Sequence, residues 1–137
     1  MRTLNEMRTR VLAGLLLAGS LLITPAGADE VEKLLFLVIE KDEVIASNTR
    51  MGRFDRLEMS AKEKIVEYQV SNAVAVVVTN QRFVAYGVMP GSWKDRRIRA
   101  GERMESMEVA DYSATLVTND RILNFYGRTG TWSETKR

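Results

Sequence analysis

From Leu34 onward the chain breaks into short apolar runs separated by two to five polar or glycine-containing residues, a spacing too tight for helices. Val74 to Thr79 is a β-branched run, Asn80-Gln81 interrupts it, and Arg82 to Val88 resumes it. Two such runs around two turn residues predict a β-hairpin, and Asn80 tolerates the positive φ that a two-residue hairpin turn calls for. Asn119-Asp120 repeats the arrangement. A third strand is predicted at Trp93 or Trp132, after Pro90-Gly91 or Thr129-Gly130, and a fourth fits 65–71 and 104–110. Ser60-Ala61-Lys62-Glu63 has the form of a helix capping box. The matching stretch Arg99-Ala100-Gly101-Glu102 starts a helix poorly, so both read as interstrand turns and the box as a coincidence.

The pattern recurs every 39 residues. Segment 60–98 laid on 99–137 gives ten identities, among them Glu63/Glu102, Thr79/Thr118, Asn80/Asn119, Arg82/Arg121, Gly91/Gly130 and Trp93/Trp132. A worn first copy over 34–54 keeps the apolar pattern, Gly52 and an aromatic at Phe54, with Glu43 where the later copies carry arginine. The repeats run approximately over 29–59, 60–98 and 99–137, and the expected fold is all-β, four strands to a repeat, with the first copy lacking its initial strand. Leu34 to Ile39 and Val74 to Val78 are apolar at every position, which predicts strands covered on both faces.

The order strand, hairpin turn, strand, x-Gly-x-Trp, strand (VVVTNQRFVAYGVMPGSW, LVTNDRILNFYGRTGTW) resembles the blades of quinoprotein-type and related β-propellers, and a group of exported bacterial repeat proteins of unassigned function. That resemblance covers about residues 34–137 and implies blades in which each tryptophan docks against its neighbour. A β-trefoil or a three-sheet β-prism is the alternative for three repeats of this length. Closed propellers use about four to eight blades. Three blades therefore imply a homodimer that completes a six-bladed ring, because a free blade face would leave apolar strand surface in water.

The N-terminus predicts export. Arg2, Arg8 and Arg10 precede an uncharged run from Val11 to Ile23, and small residues at Ala26 and Ala28 set a cleavage site between Ala28 and Asp29. Thirteen apolar residues fall short of the ~20 that span a bilayer, and without cysteine no lipid anchor forms. The expected product is a periplasmic or secreted domain, residues 29–137, without a stable membrane anchor. Processing also changes the charge: 20 bases and 18 acids become 17 and 17, so the net +2 belongs to the precursor. A neutral mature chain argues against nucleic-acid binding, and the cluster Lys94-Asp95-Arg96-Arg97-Ile98-Arg99 reads as a solvated strand edge.

The chain has no histidine and no cysteine, which removes Ser-His-Asp and Cys-His catalysis along with zinc and iron–sulfur ligation. No cofactor or metal motif is present, and Glu40, Asp42 and Glu43 read as a solvated hairpin tip. Glu63 and Glu102 are the only acids in matching places, a symmetry that suits accepting turn amides better than the unequal acid and base of a glycosidase. Candidate ligand-binding residues are Trp93, Trp132 and Phe54, as stacking platforms or as interblade packing, and Arg82 and Arg121, as anion readers or as cross-strand ion pairs. The composition favours a non-catalytic binding module for a glycan, peptide or protein partner. The alternative is an enzyme or enzyme subunit of propeller type, for example one hydrolysing glycans with carboxylates.

Overall fold

The computed structural model describes residues 32–137; the expected export segment 1–28 and the expected cleavage site at Ala28/Asp29 lie outside the described residues. Eleven strands form three antiparallel meanders. Sheet 1 holds β1 (Leu35–Ile39), β2 (Glu43–Asn48) and β3 (Arg53–Glu58). Sheet 2 holds β4 (Ile65–Val70), β5 (Val74–Thr79), β6 (Arg82–Gly87) and β7 (Ser92–Arg97). Sheet 3 holds β8 (Met104–Val109), β9 (Ser113–Thr118), β10 (Arg121–Tyr126) and β11 (Thr131–Lys136). The 39-residue spacing is kept strand for strand, down to a bulge in the first strand of sheets 2 and 3, at Ile65/Glu67 and Met104/Ser106.

The sheets stack face on face with sheet 2 in the middle. All six residues of β5 are buried. Its alternation sends Val74, Val76 and Val78 toward Leu116, Leu123 and Phe125 of sheet 3. Ala75 faces Leu35 and Ala46 of sheet 1, and Val77 faces Val44 and Leu57. A strand with two dry faces needs apolar residues at consecutive positions, and Val74–Val78 supplies them. Trefoils and three-sheet prisms turn one face of each sheet inward, so a middle sheet covered on both faces fits neither alternative.

Two expectations need correction. Leu35–Ile39 is apolar throughout, yet only its inward face is covered: Leu35 is fully buried while Phe36 and Val38 stay 47% and 45% exposed. The reason is position, since sheet 1 ends the stack and its outward face meets no sheet among the described residues. Asn80 and Asn119 do not supply positive φ, which among the described residues only glycines adopt. Their side chains instead tie the hairpin tip to the preceding loop: Asn80 accepts the Lys64 amide at 2.9 Å and donates to the Lys62 carbonyl at 3.1 Å. The stretch 60–63 is the interstrand turn expected: the Glu63 carboxylate accepts the Ser60 amide at 3.1 Å, as Glu102 accepts the Arg99 amide at 2.9 Å, while the Ser60 hydroxyl turns to Gln81 instead of completing a capping box.

Tight approach of the sheets at one end depends on two glycines. A Cβ on Gly87 would collide with the backbone carbonyl of Gly127, and one on Gly127 would meet a methyl of Val74. We expect Gly87→Ala to lower stability by about 1–3 kcal/mol, measured as a shift in the urea midpoint at unchanged slope.

Candidate functional site

The residues repeated most faithfully assemble into two copies of one polar clamp, each where a sheet joins the one before it. Thr79 sits at the end of β5 and Arg82 begins β6, so the hairpin sets both beside the turn that carries Glu63. Arg82 grips Glu63 with two parallel bonds, Nε to Oε2 at 2.8 Å and Nη2 to Oε1 at 3.2 Å. The Thr79 hydroxyl donates to the same carboxylate at 2.6 Å. Arg82 also reaches Asp95 across the hairpin at 3.1 Å and donates to the Glu58 carbonyl at the end of sheet 1 at 2.8 Å. Sheet 3 reproduces this contact by contact. Arg121 holds Glu102 at 2.8 and 3.0 Å, Glu134 at 2.9 Å and the Arg97 carbonyl at 2.9 Å, with Thr118 donating to Glu102 at 2.8 Å. Bidentate pairing of this kind is directional, so it fixes the angle of each sheet on its predecessor as well as its distance.

The clamp sets the chemistry of its acids. Burial alone would raise the Glu102 carboxyl, but hydrogen bonds from Arg121, the Arg99 amide and Thr118 outweigh it and draw the pKa from 4.5 to about 2. Glu63 is lowered against the same opposing burial by Arg82, Thr79 and the Ser60 amide. Each carboxylate thus remains ionised and fully hydrogen-bonded near neutral pH, unsuited to donate a proton as a glycosidase acid does. Arg82 and Arg121 are likewise occupied by protein acceptors.

The tryptophans form the second repeated set. Trp93 in β7 packs on Tyr86 with ring centroids 5.1 Å apart and donates its indole N–H to the Asp55 carbonyl of sheet 1 at 3.2 Å. Trp132 in β11 packs on Phe125 at 5.2 Å and donates to the Lys94 carbonyl of sheet 2 at 3.0 Å. Each indole therefore anchors its own sheet to the backbone of the preceding one. Phe54 holds the matching place in sheet 1, with no preceding sheet, and is 68% exposed. Of the five sequence-selected residues, Arg82, Trp93 and Trp132 border one open groove of about 570 Å³ that Lys94, Asp95 and Arg96 of the edge strand β7 also line, whereas Arg121 sits in its own clamp and Phe54 on the outward face of sheet 1.

Sequence reasoning passed over one network. The Tyr86 hydroxyl, buried between sheets 1 and 2, accepts from Asn48 Nδ2 at 3.0 Å and donates to Asp55. Burial first, and the hydrogen bond to Asp55 second, push the phenol up to about 12. The third copy has Phe125 there and the first has Ser47, so a search for repeated residues cannot find it.

No family model matches the chain, and no curated protein matches it.

Two outcomes follow from the clamps and the network. Because Glu63 and Glu102 hold protons more weakly folded than unfolded, their contribution is complete above pH 4.5 and disappears as pH falls toward 2. Glu102 alone accounts for about 3 kcal/mol of this, and urea titrations between pH 2 and 6 on Glu102→Gln should show a flatter profile than the parent. Tyr86→Phe should cost about 1–3 kcal/mol by stranding Asn48 and Asp55 without their partner, whereas Phe125→Tyr, with no matching acceptor arranged around it, should gain nothing; thermal melts compare the two.

Proposed function

We propose that the chain is a non-catalytic, exported binding module whose sheets are propeller-like blades, and that two chains complete a six-bladed ring. The observation that carries the non-catalytic reading is the commitment of both matched carboxylates, and both arginines facing them, to closed inter-sheet clamps. Face-on-face stacking, the 39-residue register and the indole anchor from each sheet to its predecessor support the blade reading. The open outward face of sheet 1, with Phe36, Val38 and Phe54 exposed, supports a partner chain. Ligand capture belongs to the groove over β7. There the half-buried Trp93 offers apolar contact to a sugar ring or an apolar side chain, and Lys94, Asp95 and Arg96 offer hydrogen bonds of both signs.

Glycan- and peptide-array binding by the chain beginning at Asp29, repeated with Lys94→Ala/Arg96→Ala and with Trp132→Ala, tests this reading. Lost binding with an unchanged melt in the lysine–arginine variant supports the groove. Glycoside hydrolysis that disappears in Glu102→Gln, with the fold intact by circular dichroism, would overturn the non-catalytic assignment. Native mass spectrometry checks the ring: a mass of two chains is expected, and a stable monomer at micromolar concentration refutes it.

A further inference from the structure

Side-chain bulk changes sides along the stack. Ala75 of sheet 2 packs with Leu35 and Leu37 of sheet 1, and Ala114 of sheet 3 packs with Val74 and Val76 of sheet 2. One further step of 39 residues puts Ser113 and Thr115 in the place of the larger pair and Phe36 in the place of the alanine. A second position changes in the same way. Asn48 of sheet 1 bonds the Tyr86 hydroxyl of sheet 2; its copy Gly87 lies tight against sheet 3, where Phe125 matches Tyr86. The next pair in that series is Tyr126 and Ser47. In both places large and small have exchanged sides. Between them the match is apolar on apolar. Val78 and Phe83 pack with Leu116 and Leu123, and one step on these become Val117 and Ile122 against Val38 and Ile45. Tyr126 on sheet 3 and Phe36 on sheet 1 are 49% and 47% exposed, so each stands out as a knob.

We infer that the outward face of sheet 3 takes sheet 1 of a second copy as its next layer, with Tyr126 seated over Ser47 and Phe36 over Ser113 and Thr115. The inference rests on the ring reading of the proposed function, and adds to it the faces that meet, their register and the strength of the joint. Both halves of the match lie in the described residues. Bulk summed across the joint is kept at the two exchanged positions although neither face keeps it alone, as close packing of two surfaces requires. Pairing two sheet 3 faces would set polar Ser113 and Thr115 beside Tyr126 with no knob from the other side to fill them. Unlike faces meeting head to tail close into a ring when the rotation allows it. The joint also lacks the bonds that hold the two inside the chain. Trp93 and Trp132 donate to the Asp55 and Lys94 carbonyls, and Arg82 and Arg121 to those of Glu58 and Arg97. The next acceptors in register are Ser133 and Lys136, but sheet 1 brings Phe54 and Glu43, which have no donor to offer. The joint between chains is therefore weaker than those within one and opens on dilution, while each three-sheet stack stays folded.

The chain has no cysteine, so two introduced ones report on the joint. A Cβ on Gly127 would touch a methyl of Val74, and one step on these two positions are Ser113 and Thr49. Ser113→Cys and Thr49→Cys are made in separate full chains, mixed, and oxidised with glutathione disulfide. The expected result is a disulfide-linked dimer in the mixture and in neither variant alone. Ser47→Tyr, which fills the place meant for Tyr126, should weaken dimerisation at least about tenfold, and adding Tyr126→Ser to the same chain should recover most of the loss. These side chains lie on outward faces, so the variants should melt like the parent when dilute; if Ser47→Tyr does not, Thr115→Phe, placed opposite Phe36, replaces it. Equal linkage by Thr49→Cys alone or Ser113→Cys alone overturns the inference, because like faces are then meeting. Mixed linkage that Ser47→Tyr leaves undiminished overturns the register while the ring stands. A monomeric mass with no linkage in the mixture overturns the inference and the ring together, and array binding that persists in the β7 groove then leaves the binding-module reading intact.

Discussion

Burial of sheet 2 on both faces is the constraint on which the other features depend. A four-stranded meander of this size has no core of its own; it becomes stable when each face meets another sheet. β5 is therefore written almost entirely in valine and alanine, because any polar side chain there would lose water without gaining a partner. The same demand places Gly87 against Gly127, where a side chain on either would hold the sheets apart. It also requires something directional between the layers, since apolar contact alone lets flat surfaces slide. The Arg–Glu clamps and the indole N–H bonds supply that direction at both junctions.

Those devices are absent from the first copy in a consistent way. Glu43 stands where Arg82 and Arg121 stand, and Arg56 stands where Asp95 and Glu134 stand. The diagonal ion pair across the hairpin survives with its polarity reversed. Reversal costs the pair nothing, but a carboxylate at position 43 has no donor to offer a carbonyl on a preceding sheet. Phenylalanine in place of tryptophan at position 54 loses the same kind of bond. The opposite end of the stack is treated differently. On the outward face of sheet 3, Ser113, Thr115 and Asn124 replace the Val74, Val76 and Ala85 of sheet 2, and Thr115 bonds to Asn124 across the strands. The outward face of sheet 3 is thus the more polar of the two, although Val117 and Ile122 keep apolar places on it, whereas sheet 1 keeps Phe36, Val38 and Phe54.

This asymmetry concentrates the exposed apolar side chains of the described residues around copy one. The outward apolar face of sheet 1 and the exposed apolar residues of β4 both lie there, while the clamps are closed. The network of buried Asn48 and Tyr86 with Asp55 and the surface Arg53 joins sheet 1 to sheet 2 beside this region. It ties sheet 1 to sheet 2 so that forces on the exposed surface reach the core. Its polar groups are fully paired, so it confers a specific seating without leaving a site for a ligand.

The sequence by itself determined the strands, their order and the repeat, because a 39-residue period in side-chain type enforces a 39-residue period in structure. The hairpin of Val74–Thr79 and Arg82–Gly87 appears within a residue of where the pattern places it, and the turn duty of Glu63 and Glu102 follows from their matched positions. Only the tertiary structure decided which of two similar apolar strands is dry. Leu35–Ile39 and Val74–Val78 read alike, but one lies at the end of the stack and the other in its middle. Only the fold, too, showed Val66, Tyr68 and Val70 exposed among the described residues, since the matching Met107 and Val109 one copy later are packed against the core. A pattern along the chain reports what each residue prefers to face. Whether a neighbouring layer is there to be faced is a property of the assembled stack.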